Sequence, residues 1–235
     1  MSLKKHWQRL KRSVGRRYKE FLLPNRYVRL GSRYGGWWLD RRLLTSTPLL
    51  IDCGLGEDIS FPTAFLAQFG GKVVGVEPNP RSLEYCSKAT PQGMRIIPQA
   101  FWSEPGITLT FHLPRPQDQL PKGADGVSGS VLDSHDYVGE EEISVLTTSL
   151  TEILNQEQLA ECDVLKLDIE GAEYEVLKSL CSSGNVAHVK QILVEFHHGV
   201  TSYSMADTER TVAMLEASNF RLAHTEGRNY IFVAL

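Results

Sequence analysis

Residues 49–61, LLIDCGLGEDISF, place two glycines and several carboxylates directly after an apolar run. Gly54 and Gly56 allow a ligand to approach the backbone closely, and a helix beginning after them would offer free N–H groups. Asp52 before the turn and Asp58 after it would repel a phosphate group. This combination therefore indicates a ligand that carries positive charge.

A further carboxylate, Glu77, ends the next apolar run, VVGVE. It follows the glycine turn by about 20 residues, the spacing at which an acidic residue binds the two hydroxyls of a ribose. The dinucleotide pattern G-x-G-x-x-G is incomplete, because Ile59 replaces the third glycine. We therefore disfavour an NAD-dependent reductase. S-Adenosylmethionine combines a ribose, an ammonium and a sulfonium, and it is the cofactor that we expect.

Three more polar residues follow two later apolar runs. Asp168 ends CDVLKLD, Glu170 comes two residues later, and His197 follows QILVEF. A neutral imidazole accepts a proton near neutral pH, so we predict His197 as a general base with a pKa of about 6–7. Asp168 would orient the cofactor's ammonium or the acceptor. These three residues form the predicted catalytic set, with a structural histidine and a helix N-terminal Glu170 as the alternative interpretation.

A metal ion held by Asp168, Glu170 and His197 is the less favoured alternative, and we predict a site without metal. Lys166 lies two residues before Asp168, on the same side of the expected strand. We expect Lys166 to pair either with Asp168 or with Glu195 on the neighbouring strand.

A parallel sheet would bring these residues together. From residue 49 onward, short apolar runs alternate with helical stretches, which predicts an α/β fold with helices on both faces of a mostly parallel sheet. Ligands bind such a sheet at the carboxyl ends of its strands. The predicted strands are 49–53, 72–77, 94–97, 162–168, 189–196, 220–225 and 229–234, and the predicted helices are 58–69, 80–89, 170–182 and 205–218.

Two regions depart from this alternation. The last two predicted strands are joined by a short turn at Gly227 and must therefore be antiparallel. Residues 101–147 contain two strand-like segments, ITLTFHL and EEISVLTTSL, around a loop over 114–138 that is rich in Gly, Pro and Ser. The loop is unusually long. Its segment 128–130, Ser-Gly-Ser, either forms part of a lid or acceptor contact or belongs to a mobile surface.

The first 44 residues carry thirteen Lys/Arg and two acids, whereas residues 45–235 carry twelve Lys/Arg and twenty-six acids. Apolar residues recur every three or four positions over 3–22, which predicts an amphipathic helix ending at Pro24. We expect a basic helical arm over 1–44 and a cofactor-binding domain over 45–235. The arm either binds a membrane surface or another anionic partner, or packs on its own domain or on the second subunit of a homodimer. We expect no nucleic-acid partner.

Four cysteines, Cys53, Cys86, Cys162 and Cys181, form no CxxC pair. They indicate reduced thiols in a reducing compartment. No apolar run approaches the roughly 18 residues of a membrane-spanning helix, and the basic N-terminal segment lacks the apolar core of a secretory signal. We expect a cytoplasmic protein, either free or peripheral at a membrane.

Five segments together resemble the FkbM-type S-adenosylmethionine-dependent methyltransferases: LLIDCGLGEDISF, VVGVEPNP, VLKLDIEGAEYEVLKSL, QILVEFH and NYIFVAL. The resemblance covers roughly residues 48–235. KLDIEGAE is its most specific part, whereas D-x-G-x-G is shared by many methyltransferases. GLGEDISF departs from the more usual GANIG form, and LGSRYGGWWLD, residues 30–40, accompanies this variant.

The resemblance implies a class I methyltransferase fold, a Rossmann-like three-layer sandwich. Its seven-stranded sheet has the order 3-2-1-4-5-7-6, with strand 7 antiparallel. It also implies that Gln99 and Ala100 lie beside the adenine, where Phe101 and Trp102 either stack on the base or belong to the core. The predicted cofactor-binding residues are Asp52, Gly54, Gly56, Asp58, Ser60, Glu77, Pro78, Asn79, Gln99, Ala100 and Asp168.

The resemblance further implies methyl transfer, with S-adenosylhomocysteine as product. We predict O-methylation of a hydroxyl on a saccharide, a glycoconjugate or a similar natural product, so the expected partner is a small-molecule or glycan acceptor. The alternative is a non-catalytic binding protein that retains the methyltransferase fold.

Overall fold

The apolar runs of the sequence form a sheet with helices packed on it. The computed structural model describes residues 25–120 and 126–235. Its strands are β1 (Tyr27–Leu30), β2 (Trp37–Asp40), β3 (Leu49–Cys53), β4 (Lys72–Val76), β5 (Met94–Ile97), β6 (Ala100–Phe101), β7 (Thr108–Pro114), β8 (Val138–Thr148), β9 (Val164–Leu167), β10 (Gln191–Glu195), β11 (Phe220–Glu226) and β12 (Asn229–Ala234). Its helices are α1 (Ser60–Phe69), α2 (Pro80–Ser87), α3 (Leu150–Glu157), α4 (Glu173–Ser183) and α5 (Met205–Ala217).

Seven of these strands form the main sheet, in the order β5-β4-β3-β9-β10-β12-β11. The strands from β5 to β10 run parallel, and β12 is antiparallel to both of its neighbours. This confirms the predicted order and the antiparallel strand. The strand order reverses between β3 and β9, so a ligand site is expected at their carboxyl ends.

The sheet is buried on both faces. Ile51 and Leu165 point to one face and pack with Leu177 of α4. Leu50 points to the other face, where it joins Phe65 of α1. Because successive side chains of a strand point to opposite faces, a strand covered on both sides reads as a continuous apolar run. This explains why β3, β9 and β10 were recognisable in the sequence.

Residues 25–44 differ from the predicted helical arm. They form the antiparallel hairpin β1–β2 and a 3₁₀ turn at Arg41–Leu43, and Leu39 is fully buried in the core. The hairpin is fixed to the sheet by Gln191, whose side chain accepts a hydrogen bond from the backbone of Asp40 and donates one back. The helix predicted up to Pro24 lies outside the described residues and stays a prediction.

The region 100–148 forms a separate small sheet in the order β6-β8-β7. After the undescribed residues 121–125, the chain returns along β7 through paired hydrogen bonds between Ser130 and His112. The Ser130 hydroxyl also donates to the backbone oxygen of Glu170, at 2.8 Å. The second half of the long loop is therefore fixed over the carboxyl edge of the main sheet.

Helix α3 was not predicted. Ser149 caps its N-terminus, and the Ser149 hydroxyl accepts a hydrogen bond from the backbone N–H of Glu152. In residues 25–120 and 126–235, no helix has the length and apolar composition that crossing a membrane requires. All four cysteine thiols are free.

Candidate cofactor and acceptor site

A cavity of about 630 Å³ lies at the carboxyl ends of the parallel strands. A ligand of cofactor size fits a space of this volume. The predicted site residues that line it are Gly54, Gly56, Asp58, Glu77, Pro78, Ala100, Asp168, Glu170 and His197. Four other predicted residues, Asp52, Ser60, Asn79 and Gln99, are not part of its lining.

The two glycines of the turn have different roles. A Cβ atom on Gly54 would come within 1.8 Å of the backbone oxygen of Asp168, so this position brings β3 and β9 close together. Gly56 has a φ of 54° and nothing within 4 Å of the position of its absent Cβ. Gly56 is therefore the position where the turn leaves room for a ligand.

Glu77 holds the glycine turn in place. One of its carboxylate oxygens accepts hydrogen bonds from the backbone N–H groups of Leu55 and Gly56, at 2.9 and 3.0 Å, and the other accepts one from Asn79 at 2.8 Å. The side chain nevertheless lines the cavity. A carboxylate offers about four acceptor positions, so Glu77 can still accept a hydrogen bond from a ligand hydroxyl.

Asp52 lies beneath the turn. It is 2% exposed, and the ammonium of Lys166 is 3.2 Å from its carboxylate and 3.6 Å from that of Asp168. Lys166 also donates to the backbone oxygen of Gly54. A direct contact between Asp52 and a cationic ligand does not fit this geometry, because Lys166 already neutralises Asp52 and separates it from the cavity.

Three other predicted residues, Asp58, Ser60 and Asn79, fix the backbone where α1 and α2 begin. The Asp58 carboxylate accepts hydrogen bonds from the Ser32 hydroxyl at 2.5 Å and from the backbone of Ser60 at 2.9 Å. The Ser60 hydroxyl in turn accepts from the backbone of Ser32. Asn79 caps the start of α2. Ser60 and Asn79 therefore act on the backbone around the cavity, which explains why they do not line it.

Only some of the residues that follow β5 line the cavity. Ala100 and Phe101 line the cavity, whereas Gln99 does not. Trp102 packs against the apolar core instead. Of the two aromatic residues considered for the adenine, only Phe101 is placed to contact a ligand.

Asp168, Glu170 and His197 meet at the ends of β9 and β10. The Nε2 atom of His197 is 3.6 Å from Asp168 and 3.2 Å from Glu170. Its Nδ1 atom is 3.1 Å from a carboxylate oxygen of Glu173, a residue that is fully buried. The predicted convergence of the two strand ends is present, and Glu173 completes it.

The expected neutral state of His197 does not agree with these surroundings. Burial alone would lower the pKa of His197, but the charges of Glu170 and Glu173, the hydrogen bond to Glu173 and the charge of Asp168 raise the pKa to about 10. The imidazole therefore carries a proton at neutral pH. A protonated imidazole cannot accept a proton from a hydroxyl, so His197 does not fit the role of general base.

Several cavity residues were not predicted: Tyr34, Trp37, Phe111, Tyr137, Arg228 and Asn229. Arg228 lies in the turn of the terminal hairpin and pairs with Glu195 at 2.8 Å. Lys166 pairs with Asp168 and not with Glu195, which decides between the two expected partners. The motif LGSRYGGWWLD, which contributes Tyr34 and Trp37, was the one available signal in the sequence.

The chain is similar to known methyltransferases in sequence. A family model described as the methyltransferase FkbM domain matches residues 52–222. A probable methyltransferase-like protein 24 of Rattus norvegicus is 31% identical over 101 residues, which cover 40% of this chain and 28% of that protein. The match thus spans less than a third of that relative.

Solved structures of methyltransferases are also similar. Human methyltransferase 10 domain containing protein is 13% identical, with 81% of this chain and 72% of that chain covered and a TM-score of 0.44. Streptomyces venezuelae DesVI is 12% identical, with 83% and 87% covered and a TM-score of 0.41. Because these TM-scores are below 0.5, we assign the fold from the strand order of the main sheet and not from the similarity to these structures. The family match covers most of the chain and agrees with this strand order, so the chain belongs to the FkbM methyltransferase family and has a class I methyltransferase fold.

Proposed function

We propose that this protein is an S-adenosylmethionine-dependent O-methyltransferase that acts on a hydroxyl of a saccharide or glycoconjugate. The observation that supports it most is one cavity with two chemically different ends. The glycine turn and Glu77 lie at one end, and the cluster of Asp168, Glu170 and His197 lies at the other.

The first end fits the cofactor. Glu77 has acceptor positions left for the ribose hydroxyls, and Phe101 offers an apolar surface for the base. When bound, the cofactor supplies a methyl group that is already activated by the sulfonium. The protein's main contribution is then to hold the acceptor and the cofactor in position.

The second end fits a polar acceptor. Ser128, Tyr137 and Arg228 line it beside the acidic cluster, so it offers both donors and acceptors for hydrogen bonds. A ligand rich in hydroxyls can form hydrogen bonds with these polar groups, whereas an apolar ligand would leave them buried without partners, which costs free energy. This supports a saccharide acceptor.

Calorimetry with S-adenosylhomocysteine and with NAD tests the cofactor assignment. We expect the protein to bind the first and not the second. If it binds neither, a non-catalytic binding protein becomes the better interpretation.

A panel of glycans and glycolipids with a labelled methyl donor tests the acceptor, and we expect label in a saccharide hydroxyl. The same panel, repeated with protein lacking residues 1–23, tests the proposal that this basic segment engages an anionic partner or membrane. Truncation should leave S-adenosylhomocysteine affinity unchanged and reduce turnover of the natural acceptor. Normal turnover at low and moderate salt would show that the segment is only structural.

A further inference from the structure

The cluster at the ends of β9 and β10 has the spacing of a metal site. One donor atom each from Asp168, Glu170 and His197 lies within 4.8 Å of the other two. Nε2 of His197 is 3.2 Å from Glu170 and 3.6 Å from Asp168. With metal–ligand bonds of about 2.1 Å, neighbouring ligand atoms are about 3.0 Å apart in an octahedral site and about 3.4 Å apart in a tetrahedral one. The two separations from Nε2 of His197 are therefore close to those around a shared ion.

His197 is oriented as a metal-binding histidine is. Its Nδ1 atom lies 3.1 Å from a Glu173 oxygen, which can only accept, so Nδ1 carries a proton and Nε2 faces the cavity. The same oxygen accepts the backbone N–H of His197, and the other Glu173 oxygen accepts that of Gly171. A buried carboxylate that holds the far nitrogen is the usual support of a histidine ligand.

The carboxylate of Glu170 is also oriented by a hydrogen bond, which comes from His135. The backbone N–H of Tyr137 donates to Nδ1 of His135, so the proton of His135 is on Nε2, which donates to the Glu170 carboxylate at 2.8 Å. His135 itself is 2% exposed. Glu170 has a φ of 54°, a costly conformation for a side chain of this type. The fold therefore fixes Glu170 in a direction that its backbone does not favour.

We propose that Asp168, Glu170 and His197 bind a divalent metal ion at the acceptor end of the cavity. Carboxylates suit Mg²⁺ and Mn²⁺, and imidazole suits transition metals, so the mixed set points to Mn²⁺ or a similar ion. All three residues line the cavity. The cavity side is open to oxygen atoms of an acceptor.

This site deepens the proposed function, because its role rests on hydroxyl methylation. A metal ion at this place would hold an acceptor hydroxyl and lower the pKa of that hydroxyl. The ion would thereby supply the activation of the hydroxyl, because His197, bound through Nε2 and hydrogen-bonded through Nδ1, would have no free nitrogen to accept a proton. The acceptor class is then narrowed to molecules with a hydroxyl beside a second oxygen, since two oxygens can share the open side of the ion.

The test is a titration of metal-stripped, full-length protein with Mn²⁺, followed by electron paramagnetic resonance and calorimetry. We expect a single ion per chain. His197→Ala and Asp168→Asn should lose most of the affinity. Glu142→Gln is the matched control, because it alters a histidine–carboxylate pair, His112–Glu142 at 3.1 Å, outside the lining of this cavity. It should bind Mn²⁺ as the native protein does.

A second pair of variants tests the supporting histidine. His135→Leu removes the donor to Glu170 and should weaken Mn²⁺ binding by about 10–100-fold. His135→Gln places an amide N–H near the same position and should recover part of that loss. Equal Mn²⁺ affinity in the native protein, His135→Leu and His197→Ala would overturn the proposal.

Titration of the same sample with S-adenosylhomocysteine separates the two proposals. If the native protein binds S-adenosylhomocysteine but not Mn²⁺, the metal site is wrong and the methyltransferase assignment stands. If it binds Mn²⁺ but not S-adenosylhomocysteine, the metal site stands and the proposed function is wrong. Neither result depends on whether a variant folds.

Discussion

The carboxylates at the two ends of the cavity are compensated in different ways. At the ends of β3 and β4, Asp58 and Glu77 bind backbone N–H groups, and Asp52 is neutralised by Lys166. At the ends of β9 and β10, carboxylates lie close to one another. Burial and the charge of Asp168 raise the pKa of Glu195 to about 7. The first end is built to hold a backbone shape, whereas the second concentrates charge that a bound cation would relieve.

Lys166 contacts carboxylates at both ends of the cavity, Asp52 and Asp168. Of the substitutions considered, its replacement should lower the stability of the protein most. Lys166→Met leaves Asp52 buried without its counter-charge, which should lower the free energy of unfolding by about 3–5 kcal/mol. Urea denaturation measures the change. Lys88→Met, which alters an exposed pair with Glu84, is the control and should leave the midpoint unchanged. A Lys166→Met protein as stable as the native one would show that Asp52 is neutral, and the contrast between the ends would disappear.

Substitutions at the two glycines of the turn should have different effects, one on stability and the other on ligand binding. Gly54→Ala forces a Cβ against the Asp168 backbone oxygen and should destabilise the protein by about 3 kcal/mol. Gly56→Ala meets only the cost of a left-handed backbone, about 1 kcal/mol, but it fills ligand space. Thermal unfolding and S-adenosylhomocysteine titration of both variants check this. Equal stability losses would contradict the division of roles between the two glycines.

Glu77 should affect cofactor binding, because it holds the glycine turn and has acceptor positions left for a ligand. Glu77→Gln replaces acceptor positions by an amide donor and should weaken S-adenosylhomocysteine binding by about 1.5–3 kcal/mol, measured by calorimetry. Glu57→Gln is the matched control, because Glu57 lines the cavity but is paired with Arg81 at its surface. It should change the affinity little. An unchanged dissociation constant in Glu77→Gln would remove the assignment of Glu77 to the ribose.

The sequence predicted the main sheet well because β3, β9 and β10 are apolar on both faces. It did not reveal β1 and β2, because they follow a strongly basic segment and were included in the predicted helical arm. It also did not reveal α3, which interrupts a region that otherwise reads as strand and loop.

For the site, residues at strand ends were predictable and their protonation was not. Asp168 and His197 follow apolar runs, and parallel strands bring such ends together. The state of His197 depends on Glu173, a carboxylate in the first turn of α4 that is fully buried. His135 and Arg228 come from a loop and a hairpin turn far away in the sequence. No local pattern indicates that Arg228 reaches the cavity or that His135 reaches Glu170.

The hydrogen bonds from Ser130 and His135 to Glu170 have a consequence for making chimeric enzymes. Acceptor specificity is commonly exchanged by grafting a loop from a relative onto a fixed scaffold. Here the loop that borders the proposed acceptor end of the cavity also orients Glu170 of the DIEG turn, so the two segments form one exchangeable unit. A graft of residues 126–137 that omits His135 would change the reaction centre together with the specificity, and a successful exchange must transfer both segments.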